Sequence, residues 1–110
     1  MSEIYEKVRD ANPERKLEQL DRRMVKLGEE YGEACQAYLS VSSETNGKDK
    51  TWTDVREELV DVIIVAMDIL LTRFPDEPLG THDEKMKLVN KMVDKKLSKW
   101  AKKKAAKQTV

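Results

Sequence analysis

From Leu59 to Leu71 the chain reads LVDVIIVAMDILL. A thirteen-residue run without Gly or Pro is too long for an ordinary strand and reads as helix. Because it is apolar almost all the way round, that helix must be surrounded by other apolar surface rather than laid on a core by one face. It falls short of the roughly 18 apolar residues that span a bilayer, so the covering has to come from protein. A chain of 110 residues builds one modest core. The expectation is a single domain over residues 1–110, with a Lys-rich tail from about residue 102.

The remaining segments also have helical period. Ser2 can cap a short helix to about Ala11, with Ile4, Tyr5 and Val8 on one face. Asn12-Pro13 reads as an N-cap followed by a first-turn proline, opening a long helix whose apolar residues are Leu17, Leu20, Met24, Leu27, Tyr31, Ala34 and Tyr38. Residues 40–52 are turn formers. Thr51 or Thr53 then caps a second long helix from about Asp54 to Phe74, ended by Pro75 and Pro78. Thr81 with Glu84 forms a capping-box pattern for a last helix from about His82 into the tail. Aromatics are only 5% and charged residues 38%, a bias toward amphipathic helices. The predicted fold is all-α: an antiparallel bundle of three long helices plus a short N-terminal one. In it the last helix packs against the two before it, and oligomerisation completes the core.

Charge is divided sharply. Residues 1–80 hold 18 acids and 11 Lys/Arg, whereas residues 81–110 hold 3 acids and 10 Lys. The basic end has one aromatic, Trp100, and no Arg, so it is suited to attracting phosphate and poorly suited to reading bases; nucleic acid is not the expected partner. The first 20 residues are charged throughout, which argues against a secretory leader and for a cytoplasmic protein with no membrane partner. The lone Cys35 is expected to be a small packed thiol.

Against this background the acids of the apolar helix stand out. At about 100° per residue, Glu58 projects in line with Val62, Val65 and Ile69, while Asp61 and Asp68 share a flank. An ionised carboxylate in such a place costs several kcal/mol unless paired, hydrogen-bonded or bound to a cation. The first long helix adds more acid, Glu29-Glu30-x-x-Glu33, with Glu30 and Glu33 one turn apart beside the apolar stripe. Two antiparallel helices presenting i, i+3 acid pairs to a shared seam would crowd four carboxylates together, repulsive without a cation. All-oxygen ligation suits Mg²⁺ or Mn²⁺. A di-iron bundle would need Glu-x-x-His on two helices, and the only histidine is His82, beside Gly80. The alternative is structural: buried salt bridges to Arg23, Arg56 or a lysine, in a non-enzymatic helical interaction module.

LGEEYGEACQA at 27–37, followed by REELVDVIIVAMDIL at 56–70, resembles the MazG-like branch of the all-α nucleoside triphosphate pyrophosphohydrolases, whose hallmark is EExxE, a spacer, then ExxD. The likeness covers roughly residues 14–100. It implies a hydrolase that cuts nucleoside triphosphates between the α and β phosphates with Mg²⁺ (Mn²⁺ substituting), giving monophosphate and pyrophosphate and cleansing nucleotide pools. Glu30, Glu33, Glu58 and Asp61 would be the metal ligands, and Glu29 or Glu33 the proton acceptor.

The resemblance extends to VNKMVDKK at 89–96, where Lys91 and Lys95 match a basic stretch that would bind the triphosphate. Trp52 is a candidate to stack on the base, whereas Tyr5 and Tyr31 are better read as core. Stand-alone members are usually dimers or tetramers in which neighbouring subunits complete each site, so a homodimer or homotetramer is expected.

Overall fold

The computed structural model describes residues 2–12, 19–43, 49–72, 74–75 and 80–108. It is all-helical, with no strand among those residues: α1 is Ser2–Ala11, α2 Leu20–Ser42, α3 Trp52–Leu70 and α4 His82–Gln108. The expected opening of α2 at Pro13 lies outside the described residues; Gln19 is the residue that precedes its described span. Among the described residues no helix is long and apolar enough to cross a membrane.

The cap signals act where their chemistry allows. The Thr51 side chain accepts from the Asp54 amide, and Asp54 returns the bond to the Thr51 amide at 2.7 Å, a full capping box. Thr81 Oγ1 accepts from the Glu84 amide at 3.1 Å to start α4. Helix α3 ends at Leu70, short of the expected Phe74. The Thr72 amide tightens onto the Ile69 carbonyl, and its hydroxyl donates to the Asp68 carbonyl, closing the last turn before Pro75.

Helices α2 and α3 form the main packed pair and run antiparallel. Tyr38 near the end of α2 meets Trp52 at the start of α3, with ring centroids 6.0 Å apart, while Arg23 near the start of α2 pairs with Asp68 near the end of α3. Helix α1 crosses the C-terminal half of α3, where Tyr5, Val8, Met67, Leu71 and Met86 make the central cluster.

Helix α4 departs from the expected arrangement. Its first turns lock in: Met86 and Val89 are buried and Lys85 Nζ donates to the Leu71 carbonyl at 3.1 Å. Beyond those turns it makes little contact: among the described residues it approaches α1, and Met86 meets Met67 and Leu71 at the end of α3. The physical reason is in its composition, because from Asn90 on it carries eight lysines and one acid and gains little by lying down in a small core. The consequence reaches α3, which is not enclosed within the chain: Leu59, Val60, Ile63 and Ile64 are all 45–50% exposed.

Candidate metal centre

At the middle of the α2–α3 seam the two helices bring together Glu30, Glu33 and Glu58, each offering a carboxylate oxygen within 4.8 Å of the others. Their placement follows from helical spacing. Glu30 sits one turn before Ala34 and two before Ala37, both buried; these small side chains allow α3 close to α2 at that level. Glu30 is therefore only 6% exposed, Glu58 is half-buried, and Glu33 stands at the rim.

The electrostatics are unbalanced. Lys26, one turn before Glu30, reaches its Oε1 at 2.9 Å and is itself exposed; hydrogen bonding to Glu30 holds the Lys26 ammonium above its ordinary pKa. Lys26 is the ion-pair partner of Glu30 among the described residues, and Lys50 stands at the cavity beside Glu33 and Glu58. Glu30 Oε2 and Glu58 Oε2 are buried with no hydrogen-bond partner among the described residues. The Glu33 carboxyl is pushed above the ordinary range, first by the charge of Glu30, then by desolvation and by Glu58, with Lys26 opposing. A cavity of about 240 Å³ opens on the cluster, lined by Glu33, Gln36, Ala37, Lys50 and Glu58.

Asp61 does not join the three. It is exposed, because three residues on from Glu58 turns it about 60° off that line. Glu29 is also exposed, pointing outward with its carboxylate 4.0 Å from Lys26. Trp52 is 58% exposed against Tyr38. Tyr5 is core as expected, but Tyr31 is 63% exposed, its phenol pKa raised by a hydrogen bond with the half-buried Cys35. Lys91 and Lys95 lie exposed on α4, and neither lines the cavity at the cluster. Lys26, Gln36 and Lys50 join the site unforeseen. Lys26 was detectable as an i, i+4 partner of Glu30, whereas Lys50 arrives through a loop whose path includes Asp49 at φ 50°.

The donor set fits a hard divalent cation: oxygen only, with no His or Cys in the cluster, and two buried oxygens without a hydrogen-bond partner among the described residues. No family model matches the chain, and no curated protein and no solved structure matches it either.

Proposed function

We propose that the chain is a Mg²⁺-dependent nucleoside triphosphate pyrophosphohydrolase, acting on NTPs or dNTPs to release the monophosphate and pyrophosphate. The observation that carries the reading is the pair of buried, unpartnered oxygens, Glu30 Oε2 and Glu58 Oε2, in a three-carboxylate cluster beside a cavity. The motif resemblance supplies the substrate class. Glu30, Glu33 and Glu58 would hold the cation, with Asp61 reaching it by a rotamer change or remaining outside. Bound there, Mg²⁺ neutralises phosphate charge and lowers the pKa of a coordinated water.

The chain's own residues divide the remaining work. Glu33, the exposed member of the cluster at its rim, is suited by position to take a proton from the attacking water. Lys50, lining the same cavity, is placed to meet phosphate oxygens. Glu29 is the alternative base. Lys91 and Lys95 would contribute from another subunit of a homodimer or homotetramer, since α4 does not pack along the seam of its own chain.

The test is a panel of NTPs, dNTPs and modified nucleotides with Mg²⁺, assayed for pyrophosphate against orthophosphate. Pyrophosphate release that disappears in Glu58→Gln supports the reading. Orthophosphate alone, or release that survives in Glu58→Gln, overturns it.

A further inference from the structure

Lys26 stands between two acids. Its Nζ lies 2.9 Å from Glu30 Oε1 and 4.0 Å from Glu29 Oε2, a fork that follows from spacing, because residues three and four apart are both neighbours on a helix face. The two acids differ in their surroundings. The Glu30 side chain is 8% exposed and that of Glu29 60%, with Lys26 itself at 53%.

The bridge to Glu30 satisfies only one of its oxygens. An ordinary i, i+4 pair accounts for Oε1, whereas Glu30 Oε2 is buried without a hydrogen-bond partner among the described residues, and so is Glu58 Oε2 across the seam. Leaving such oxygens unanswered is costly. The ammonium that holds Oε1 is free to move, being a compact head on a flexible stem that stands half in solvent. A cavity of about 380 Å³, lined by Asp21, Arg22, Val25, Lys26 and Glu29, gives it room on the Glu29 side. Its charge is felt across the cluster, where it opposes the upward push on the Glu33 carboxyl.

We infer that Lys26 is a resident counter-cation of the cluster, and that a divalent ion entering between Glu30 and Glu58 displaces its ammonium from Glu30 onto Glu29. An ion on Glu30 Oε2 and an ammonium on Oε1 would share one carboxylate, and like charges so close repel. The singly charged, half-exposed partner is the one that yields. Glu29 is placed to receive it, being exposed, acidic and already 4.0 Å away. Lys26 thus neutralises one of three crowded acids while the seam has no metal, and lets go when an ion of higher charge takes over. The same shift engages Glu29 and leaves Glu33 as the acid free to serve as the base. This inference rests on the metal site of the proposed function, yet it needs neither nucleotide nor hydrolysis.

The experiment is titration of the full, nucleotide-free chain with Mn²⁺, following the free ion by its paramagnetic resonance, for wild type, Lys26→Met, Lys26→Arg, Glu29→Gln and the Lys26→Met/Glu29→Gln pair. Lys26→Met is expected to bind Mn²⁺ about fivefold tighter, the upper range for an exposed ammonium. Lys26→Arg, which keeps the charge, should bind as wild type does. Melts add a second readout: Lys26→Met should melt below wild type in EDTA and level with it in saturating Mn²⁺, since what the metal-free state loses returns as affinity. Glu29→Gln should weaken Mn²⁺ binding about twofold when Lys26 is present and leave it unchanged in the Lys26→Met background, where no ammonium has to be received. Lys26→Met binding no tighter than wild type, or a Glu29→Gln effect that is the same in both backgrounds, would overturn the displacement and leave the metal site standing. No Mn²⁺ binding in any of the proteins would overturn both. The expected pattern without pyrophosphate release would support the displacement and count against hydrolysis alone.

Discussion

The same pair of antiparallel helices buries acid at two levels and treats it in opposite ways. Near the start of α2 and the end of α3, Asp68 is 4% exposed and fully answered: Arg23 pairs with one carboxylate oxygen, and Asn12 donates to the other at 3.2 Å. About 15 Å along α3, Glu58 meets Glu30 and Glu33; among the described residues Lys26 pairs with Glu30 and two oxygens have no hydrogen-bond partner. The first level is what a buried charge looks like when the fold needs it for structure. The second is incomplete as structure, which is why it reads as a place for a cation.

The comparison is broken most directly by removing one acid from each level. Glu58→Gln is expected to lower pyrophosphate release by about 10²–10³-fold, since a metal's charge stabilisation is worth several kcal/mol and each 1.36 kcal/mol is tenfold. It should leave metal-free stability unchanged or raised, because the substitution relieves repulsion. A Glu58→Gln protein that melts much lower in EDTA would show that this level is structural after all. Arg23→Ala should do the opposite, costing about 3 kcal/mol by stranding Asp68 without its cation, at the lower end for a buried pair because Arg23 is one-third exposed. The expected readout is a melting point lower by more than about 10 °C, with turnover per folded molecule retained; Arg23→Ala with an unshifted melting point would remove the contrast.

How much of this was visible beforehand depends on the kind of signal. Thr51 and Thr81 were legible as caps because capping is a local hydrogen-bond exchange, and the helices they open are present. Glu58 was legible because a charge in an apolar run is anomalous whatever surrounds it. Asp61 looked equivalent to Glu58 by spacing, but i, i+3 leaves a 60° error on a helix, enough to carry a short Asp out of a cluster that Glu58 reaches. The direction of α4 was not legible. Periodicity identifies the apolar face of Met86, Val89, Val93 and Leu97 but not whether that face stays within its own chain. Lys50 was invisible for another reason, since its position depends on a loop and not on a helical repeat.

Metal itself sharpens the comparison at smaller amplitude. Millimolar Mg²⁺ or Mn²⁺ should raise the melting point by the equivalent of about 2–3 kcal/mol when the ion is near a hundredfold over its dissociation constant. The shift should vanish in Glu58→Gln and persist, from a lower baseline, in Arg23→Ala. A shift that survives in Glu58→Gln would place the ion elsewhere on this acidic pair of helices.

The smallest expected effect is in pH dependence, and its sign separates the crowded cluster from an acid held by its cap, Asp54. Glu33 has its folded-state pKa raised, chiefly by Glu30. Between the ordinary carboxylate value and that raised value the folded chain binds more protons than the unfolded chain, so stability contributed at this site falls as pH rises through the window. Asp54 works in reverse: the Thr51 amide and hydroxyl depress its pKa, so its contribution is present above the ordinary carboxylate value and is lost as pH falls through the depressed one. In EDTA, Glu33→Gln should therefore remove a decline in stability on the alkaline side of the carboxylate range, and Asp54→Asn should remove a loss on the acid side. Saturating Mg²⁺ should erase the Glu33 component alone, because a cation in the cluster replaces repulsion with attraction and returns that carboxyl to its charged form. Thermal melts across pH 3–7 for wild type and both variants, with and without Mg²⁺, read this directly. A Glu33 component that is insensitive to Mg²⁺ would mean that the repulsion among Glu30, Glu33 and Glu58 is one the fold simply carries.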